Sequence, residues 1–173
     1  MAIERRAFAA ELRAKGRRLE GYAATFGTEA RVNDFTETIV PGAFRQTLAS
    51  NSDVLALVDH DVSKLLARRK SGTLRLLEDS RGLAFDLDLP STTLANDLLA
   101  LAERSDLGGM SFAFIPIDER WDGDHRELRS VDLKEISVVQ SWPAYERTTV
   151  QARARPVLFP RVALARRFLD SVS

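Results

Sequence analysis

Residues 108–139 read GGMSFAFIPIDERWDGDHRELRSVDLKEISVV, and the alternation in this stretch decides the fold class. Met110, Phe112 and Phe114 fall on one face of an extended chain, and Ser111 and Ala113 on the other. The pattern predicts strands over 110–117, 125–131 and 133–139. The first two are joined through Trp121-Asp122-Gly123-Asp124, where Asp-Gly favours a tight turn.

Working outward, the same period recurs. In 82–89, Leu83, Phe85, Leu87 and Leu89 alternate with Ala84, Asp86 and Asp88, as a sheet with one solvated face requires. A run at 72–78 precedes it across Asp79-Ser80-Arg81, which predicts a hairpin. Further strands are predicted at 18–26, 35–40 and 148–152, and an apolar run at 53–59 ends on His60-Asp61. Pro41-Gly42 stops the second of these, and the following AFRQTLAS predicts a short helix with Phe44 and Leu48 on one face.

Residues 91–104 carry the strongest helical signal. Ser91, Thr92 or Thr93 can cap it, Leu94, Leu98, Leu101 and Ala102 form its apolar stripe, and Gly108-Gly109 lie beyond its end. Residues 2–15 have weak helical periodicity and read as a loose helix or an arm, and 159–172 as a terminal amphipathic helix. Seven or eight short strands with one long and one short internal helix do not build βαβ units. The expected class is α+β, mostly β: an antiparallel β-barrel or curled sheet with a few helices outside. The expected boundaries are an arm at 1–17, a domain at 18–153 and a basic tail or helix at 154–173.

The chain has 173 residues, 45% of them hydrophobic and 29% charged, enough for one core without a disulfide or metal staple. It contains no cysteine, which excludes a disulfide framework, thiolate-ligated metals and a cysteine nucleophile. Its formal charge is zero, yet 1–20 carry a net +3, 151–173 a net +4 and the body between them −7. Such ends suit nucleic acid, an acidic partner or a solvated surface. The arginines are not interleaved with aromatics as base stacking would need, so nucleic acid is not an expected partner. No stretch approaches the ~20 apolar residues of a membrane span, and the N-terminus lacks the apolar centre of a signal peptide, so a soluble intracellular protein is expected.

Phosphate loops (GxxxxGK[ST]), dinucleotide loops (GxGxxG), zinc helices (HExxH) and the GxSxG elbow are all absent from the sequence. With two histidines in the chain, an imidazole base must be His60 or His125. His60 ends an apolar strand within Asp59-His60-Asp61, where an imidazole can serve as a general base. A half-exposed strand-end histidine beside two turn aspartates would give the same tripeptide. His125 follows Asp-Gly-Asp and reads as a solvated turn residue. Metal binding through Asp59-His60-Asp61 with Asp122, Asp124 and His125 would make a phosphodiesterase, but alternation sends the first three residues in different directions.

Ser111 follows Gly108-Gly109, which permit close main-chain approach, and has the small Ala113 beside it, so it is the serine best framed for nucleophilic attack. A serine on a sheet's open face fits the local sequence equally. Glu135 shares a strand face with Ser137 and Val139; it could orient a histidine or be a surface charge balanced by Lys134. Ser137 is a rival nucleophile without flanking glycines.

Taken in order, these segments resemble the prohead (procapsid maturation) protease family of tailed bacteriophages. The resemblance covers roughly 18–153. It rests on Leu19-Glu20-Gly21-Tyr22-Ala23 with Phe26, Pro41-Gly42-Ala43-Phe44, Asp59-His60-Asp61, Ser71-Gly72-Thr73-Leu74, Gly82-Leu83, Gly109-Met110-Ser111-Phe112-Ala113-Phe114, Leu133-Lys134-Glu135-Ile136-Ser137-Val138-Val139 and Pro143-Ala144-Tyr145.

It implies a serine endopeptidase, active inside the procapsid in the host cytoplasm, that removes scaffold or the scaffolding segment of the major capsid protein precursor and can cleave itself. It also implies a distant fold relationship to herpesvirus assembly proteases. Ser111 carries over as nucleophile, His60 as base and Glu135 as the orienting acid, with no cofactor or metal; a homo-oligomer is compatible with it. One departure is Asp59, where a neutral polar residue is expected. Its charge would raise the pKa of His60 or simply face solvent. The alternative from another class is a non-catalytic capsid-assembly or scaffold-binding module of the same fold.

Overall fold

From the N-terminus the chain forms β1 (Glu4–Phe8), β2 (Arg13–Lys15), β3 (Arg18–Thr25), β4 (Ala30–Val32), β5 (Phe35–Ile39), α1 (Arg45–Ala49) and β6 (Leu55–Val58). It continues with β7 (Asp61–Arg68), β8 (Leu74–Glu78), β9 (Gly82–Asp88), α2 (Thr93–Glu103), β10 (Gly109–Asp122) and β11 (His125–Val139). This computed structural model describes residues 2–10 and 12–141. The expectations for Pro143-Ala144-Tyr145, for 148–152 and for the 154–173 tail with its 159–172 helix lie outside the described residues.

The architecture is mostly β, with two helices among the described residues. The strands form a seven-stranded sheet, β1-β10-β11-β5-β4 with β6 on β11 and β7 on β6, and a four-stranded sheet, β2-β3-β9-β8. No closed barrel is formed among the described residues, which corrects that part of the expectation. Nor is the pairing wholly antiparallel. β11 runs parallel to β5 over 125–128 and parallel to β6 over 135–138, so two short strands share one edge of one long strand.

The stretch between those two pairings explains α1. There the Val131 N–H donates to Ala43 O at 2.9 Å, the Leu133 N–H to Thr47 Oγ1 at 3.0 Å, and Thr47 Oγ1 donates to Val131 O at 2.9 Å. A buried threonine and the turn before the helix thus complete the ladder that β5 and β6 leave open. The Arg69 guanidinium closes the other end of α1, donating to Leu48 O and to Ser50 O at 2.8 Å, carbonyls that a helix terminus leaves bare. In α2, Thr92 is the residue that caps, accepting the Ala95 N–H at 3.3 Å, and Ala95, Leu98 and Ala102 are buried.

One hydrophobic cluster joins the inward faces of both sheets, with Leu19, Leu83, Phe85 and Leu87 from the smaller and Met110, Phe112, Phe114, Ile136 and Val138 from the larger. Phe44 bridges them: it stacks on Phe26 at 6.2 Å between centroids and meets Phe112 edge-on at 5.8 Å. Burying aromatic side chains of this size contributes the largest single increments to such a core.

Residues 2–15 form β1 and β2 rather than a loose helix. β1 pairs with β10 from Glu4↔Phe114 to Phe8↔Met110 and becomes the sheet's edge. An ionic cluster fastens it. Glu37, 2% exposed, accepts from Arg6 Nε at 2.6 Å, Arg6 Nη2 at 2.9 Å and Arg126 Nη1 at 3.0 Å, and Glu4 accepts from Arg6 at 2.6 Å and Arg126 at 2.7 Å. Burial pushes the Glu4 carboxyl up, but the guanidinium groups of Arg126 and Arg6 together outweigh it and hold its pKa below the usual value. Burial likewise works against the Arg126 charge, and hydrogen bonds to Glu4 and Glu119 more than reverse that.

Candidate active site

Asp59 and His60 are the two central residues of the β6–β7 hairpin, which closes with Val58 opposite Asp61. Their φ values are +49° and +59°, the left-handed pair of a type I′ turn, a conformation in which Asp and His are enriched among non-glycine residues. The turn lies against the end of β11. The Asp59 N–H donates to Val138 O at 3.0 Å, and the Asp59 carboxylate accepts from Gln140, from its N–H and its side-chain amide, each at 3.0 Å. Asp59 is exposed, as one expectation had it, and its carboxylate also ties the turn to the end of β11 through Gln140.

His60 Nδ1 meets Glu135 Oε1 directly, with the two side chains 19% and 10% exposed. The other carboxylate oxygen, Oε2, accepts the Ser137 hydroxyl at 2.6 Å, and Ser137 Oγ accepts the His60 main-chain N–H at 3.1 Å. Glu135 is buried among these partners and is not the surface charge beside Lys134 that its sequence also allowed; Lys134 pairs with Asp132 at 2.6 Å. A neutral imidazole with Nδ1–H on a carboxylate presents Nε2 as its lone-pair nitrogen, the tautomer a general base needs.

Ser111 sits on β10 directly opposite Ser137 on β11 and opposite Ala7 on β1. Its side-chain face is the one alternation assigned, but that face is closed: Ser111 is 1% exposed and Ala113 2%. The Ser111 hydroxyl donates to Arg6 O of β1 at 2.9 Å. Attack through His60 requires the hydroxyl to turn from that carbonyl toward the imidazole.

The glycines before Ser111 admit the chain itself. A Cβ on Gly109, whose φ is +147°, would lie 2.2 Å from Phe8 O, and one on Gly108 would lie 1.7 Å from Ser141 O. The close approach inferred from Gly108-Gly109 is real, and its occupants are β1 and the segment after β11. The Gly108 N–H donates to Val139 O at 2.8 Å, so this N–H is already spent in the ladder and is not a free oxyanion donor.

The remaining candidates disperse. His125 is no solvated turn residue: Nδ1 contacts Thr36 Oγ1 at 3.1 Å and Nε2 contacts Thr38 Oγ1 at 3.0 Å. Asp61 accepts the Ser63 hydroxyl at 2.6 Å and its N–H at 2.9 Å, which holds its carboxyl below the usual range. Among the described residues no three His, Asp or Glu side chains are arranged to hold a metal ion. The roles of Gln140, Ser137 and the Arg6–Glu37–Arg126 cluster were missed. Only Glu37 left a signal, since alternation with Phe35 and Ile39 puts a carboxylate on an apolar face.

A family model described as caudovirus prohead serine protease matches residues 4–158. No curated protein and no solved structure matches the chain. With nearly all of the sequence, including every residue of the site, inside that match, the chain belongs to the caudovirus prohead serine protease family, a family of serine peptidases.

Proposed function

We propose that Ser111, His60 and Glu135 are the nucleophile, base and orienting acid of an endopeptidase that cleaves scaffold, or the scaffolding segment of the major capsid protein precursor, inside the assembling procapsid in the host cytoplasm. The contact between His60 Nδ1 and the buried Glu135 carboxylate, one strand from Ser111, carries the proposal. The same reading includes self-cleavage and the distant fold relationship to herpesvirus assembly proteases, for which the mostly-β architecture with few helices is the support.

In this scheme His60 Nε2 takes the Ser111 proton as Oγ bonds to the scissile carbonyl carbon. The tetrahedral intermediate then collapses, and the same proton passes to the leaving amine. Water releases the acyl group from Ser111 by the reverse sequence. Glu135 keeps the imidazole in the Nδ1–H tautomer and stabilises the imidazolium. A polypeptide can add to a sheet edge through main-chain hydrogen bonds, and the described edge nearest His60 is β7.

Co-expression with the capsid protein precursor, followed by N-terminal sequencing of the product, tests this. Wild type should process the precursor, and Ser111→Ala and His60→Ala should leave it intact while remaining folded. One observation favours a second reading, a non-catalytic assembly module: the Ser111 proton is given to Arg6 O and not to the imidazole. Processing that is absent from the wild type as well, with the precursor bound stoichiometrically, would establish that reading instead.

A further inference from the structure

Among the described residues the Ser137 hydroxyl hydrogen-bonds to both His60 and Glu135. It is fully buried, at 0% exposure, donates its single proton to Glu135 Oε2 at 2.6 Å and accepts the His60 N–H at 3.1 Å. We propose that Ser137 is the positioning residue of this site, locking the Glu135 carboxylate in plane for the imidazole and pinning the turn that carries it. The inference rests on the assignment of His60 and Glu135 as base and orienting acid.

Each contact follows from elementary chemistry. A carboxylate has two oxygens, and Oε1 is taken by the imidazole. Without Ser137, Oε2 would be left bare in a site where Glu135 is 8% exposed, and the carboxylate would rotate to recover a donor, carrying Oε1 away from Nδ1. The His60 N–H would lose its acceptor at the same time. That N–H belongs to one of the two left-handed residues of the turn, and its acceptor lies outside the hairpin, on β11.

The same bonds argue against Ser137 as nucleophile. Its proton points at Glu135, two residues along its own strand, so deprotonation would run to the carboxylate and leave the imidazole unused. Asp59 holds the same turn through Gln140 and through its own N–H on Val138 O, and Ser137 holds it at the His60 N–H.

The test uses the full chain and a fluorophosphonate, whose phosphorus bonds to an activated serine Oγ as fluoride leaves. The maximal inactivation rate, kinact, and the half-saturating concentration, KI, are measured for wild type, Ser137→Ala and Ser137→Thr, with melting curves for each and the labelled peptide identified by mass spectrometry. The wild type should be labelled at Ser111. Ser137→Ala should lower kinact about 10- to 100-fold with KI within about twofold, as expected for loss of one buried hydrogen-bonding group acting through the base. Ser137→Thr, which restores the hydroxyl, should recover most of kinact even if its extra methyl lowers the melting temperature, a pattern that general destabilisation would not produce.

A folded Ser137→Ala with wild-type kinact overturns the positioning role alone. So does a folded Ser137→Thr as slow as the alanine variant. Label found on Ser137 in the wild type makes it the nucleophile and overturns the inference. Folded wild type that takes no label at all overturns the catalytic assignment beneath it, an outcome separate from the other three.

Discussion

Asp59 and Gln140 form a two-point clamp: both oxygens of the Asp59 carboxylate accept from Gln140, one from the main-chain N–H and one from the side-chain amide, each at 3.0 Å. The clamp gives the charged residue before His60 two hydrogen-bond donors of its own on the residue after β11. It also selects a residue able to adopt φ +49°, which Asp and Asn tolerate better than other non-glycine residues. Asp59→Asn should therefore be nearly neutral, since Gln140 can flip its amide to match. Asp59→Ala should cost about 1–3 kcal/mol, from the left-handed backbone and the lost hydrogen bonds. Urea unfolding of both variants in a Ser111→Ala background checks this, and equal midpoints for Asn and Ala would refute it.

Glu135→Gln retains size and can still bond to Ser137, but it removes the charge that stabilises an imidazolium and can present an amide N–H to Nδ1. The expected loss in kinact is on the order of 10³–10⁴, with KI little changed. Fluorophosphonate labelling gives the comparison, and a loss below tenfold would remove Glu135 from the proposed catalytic group.

Glu37 is the least exposed carboxylate of the cluster that fastens β1, and it receives three hydrogen bonds from two arginines. Removing one partner of a buried ion pair strands the others, which typically costs about 3–5 kcal/mol. Glu37→Gln should lose stability on that scale, and the amides of β1 should exchange with deuterium much faster than those of β3 and β9. Uniform acceleration across both sheets would mean the cluster supports the whole fold and not β1 in particular.

The Glu4 carboxyl gives the cluster a pH dependence. Its folded pKa lies below its ordinary value because the Arg126 and Arg6 guanidinium groups outweigh the cost of burial. A depressed folded pKa contributes stability above the unfolded value, about 4.3, and loses it as pH falls through the folded pKa. Wild type should therefore exceed Glu4→Gln in stability at pH 6–7, and the gap should close below about pH 4. A gap that persists unchanged at pH 3 would show that shape, not charge, holds β1.

What was legible in the sequence follows from which forces are local. Met110, Phe112 and Phe114 against Ser111 and Ala113 encode a strand and the face it turns to the core, though not the burial of Ser111 and Ala113 beside β1, and the Asp-Gly turn encodes the hairpin. His60 and Glu135 could be singled out, but they meet because β6 runs parallel to β11, a pairing of residues 80 apart that no local pattern specifies. β1 was illegible for a related reason. Arg5 and Arg6 look like a solvated basic arm until Glu37, distant in sequence, supplies the negative charge that pairs with Arg6, a carboxylate it shares with Arg126. β7 escaped because DVSKLLAR has no clean alternation; the type I′ turn and the bulges in its pairing with β6 set it in place. The closed barrel was inferred from strand number, which does not say whether the outer strands meet.

Gly109 joins β1 to the candidate nucleophile through backbone geometry alone. Its φ is +147°, and a Cβ there would lie 2.2 Å from Phe8 O and 3.0 Å from the Ala10 N. Both obstacles are main chain, which cannot swing aside as a side chain does, so Gly109→Ala must displace the end of β1 from β10. The expected cost is at least about 2 kcal/mol, from a strained φ combined with overpacking. Because Ala7 and the Arg6 carbonyl flank Ser111, the displacement should also raise hydrogen exchange at Ser111 and its neighbours on β10. Gly123→Ala is the control: its φ is +60° but no atom lies within 4 Å of its Cβ, so it should cost only the backbone strain of about 1 kcal/mol and leave β1 protected. Equal destabilisation by the two substitutions would mean that the contact with β1 contributes nothing, and that Gly109 is needed for its backbone angle alone.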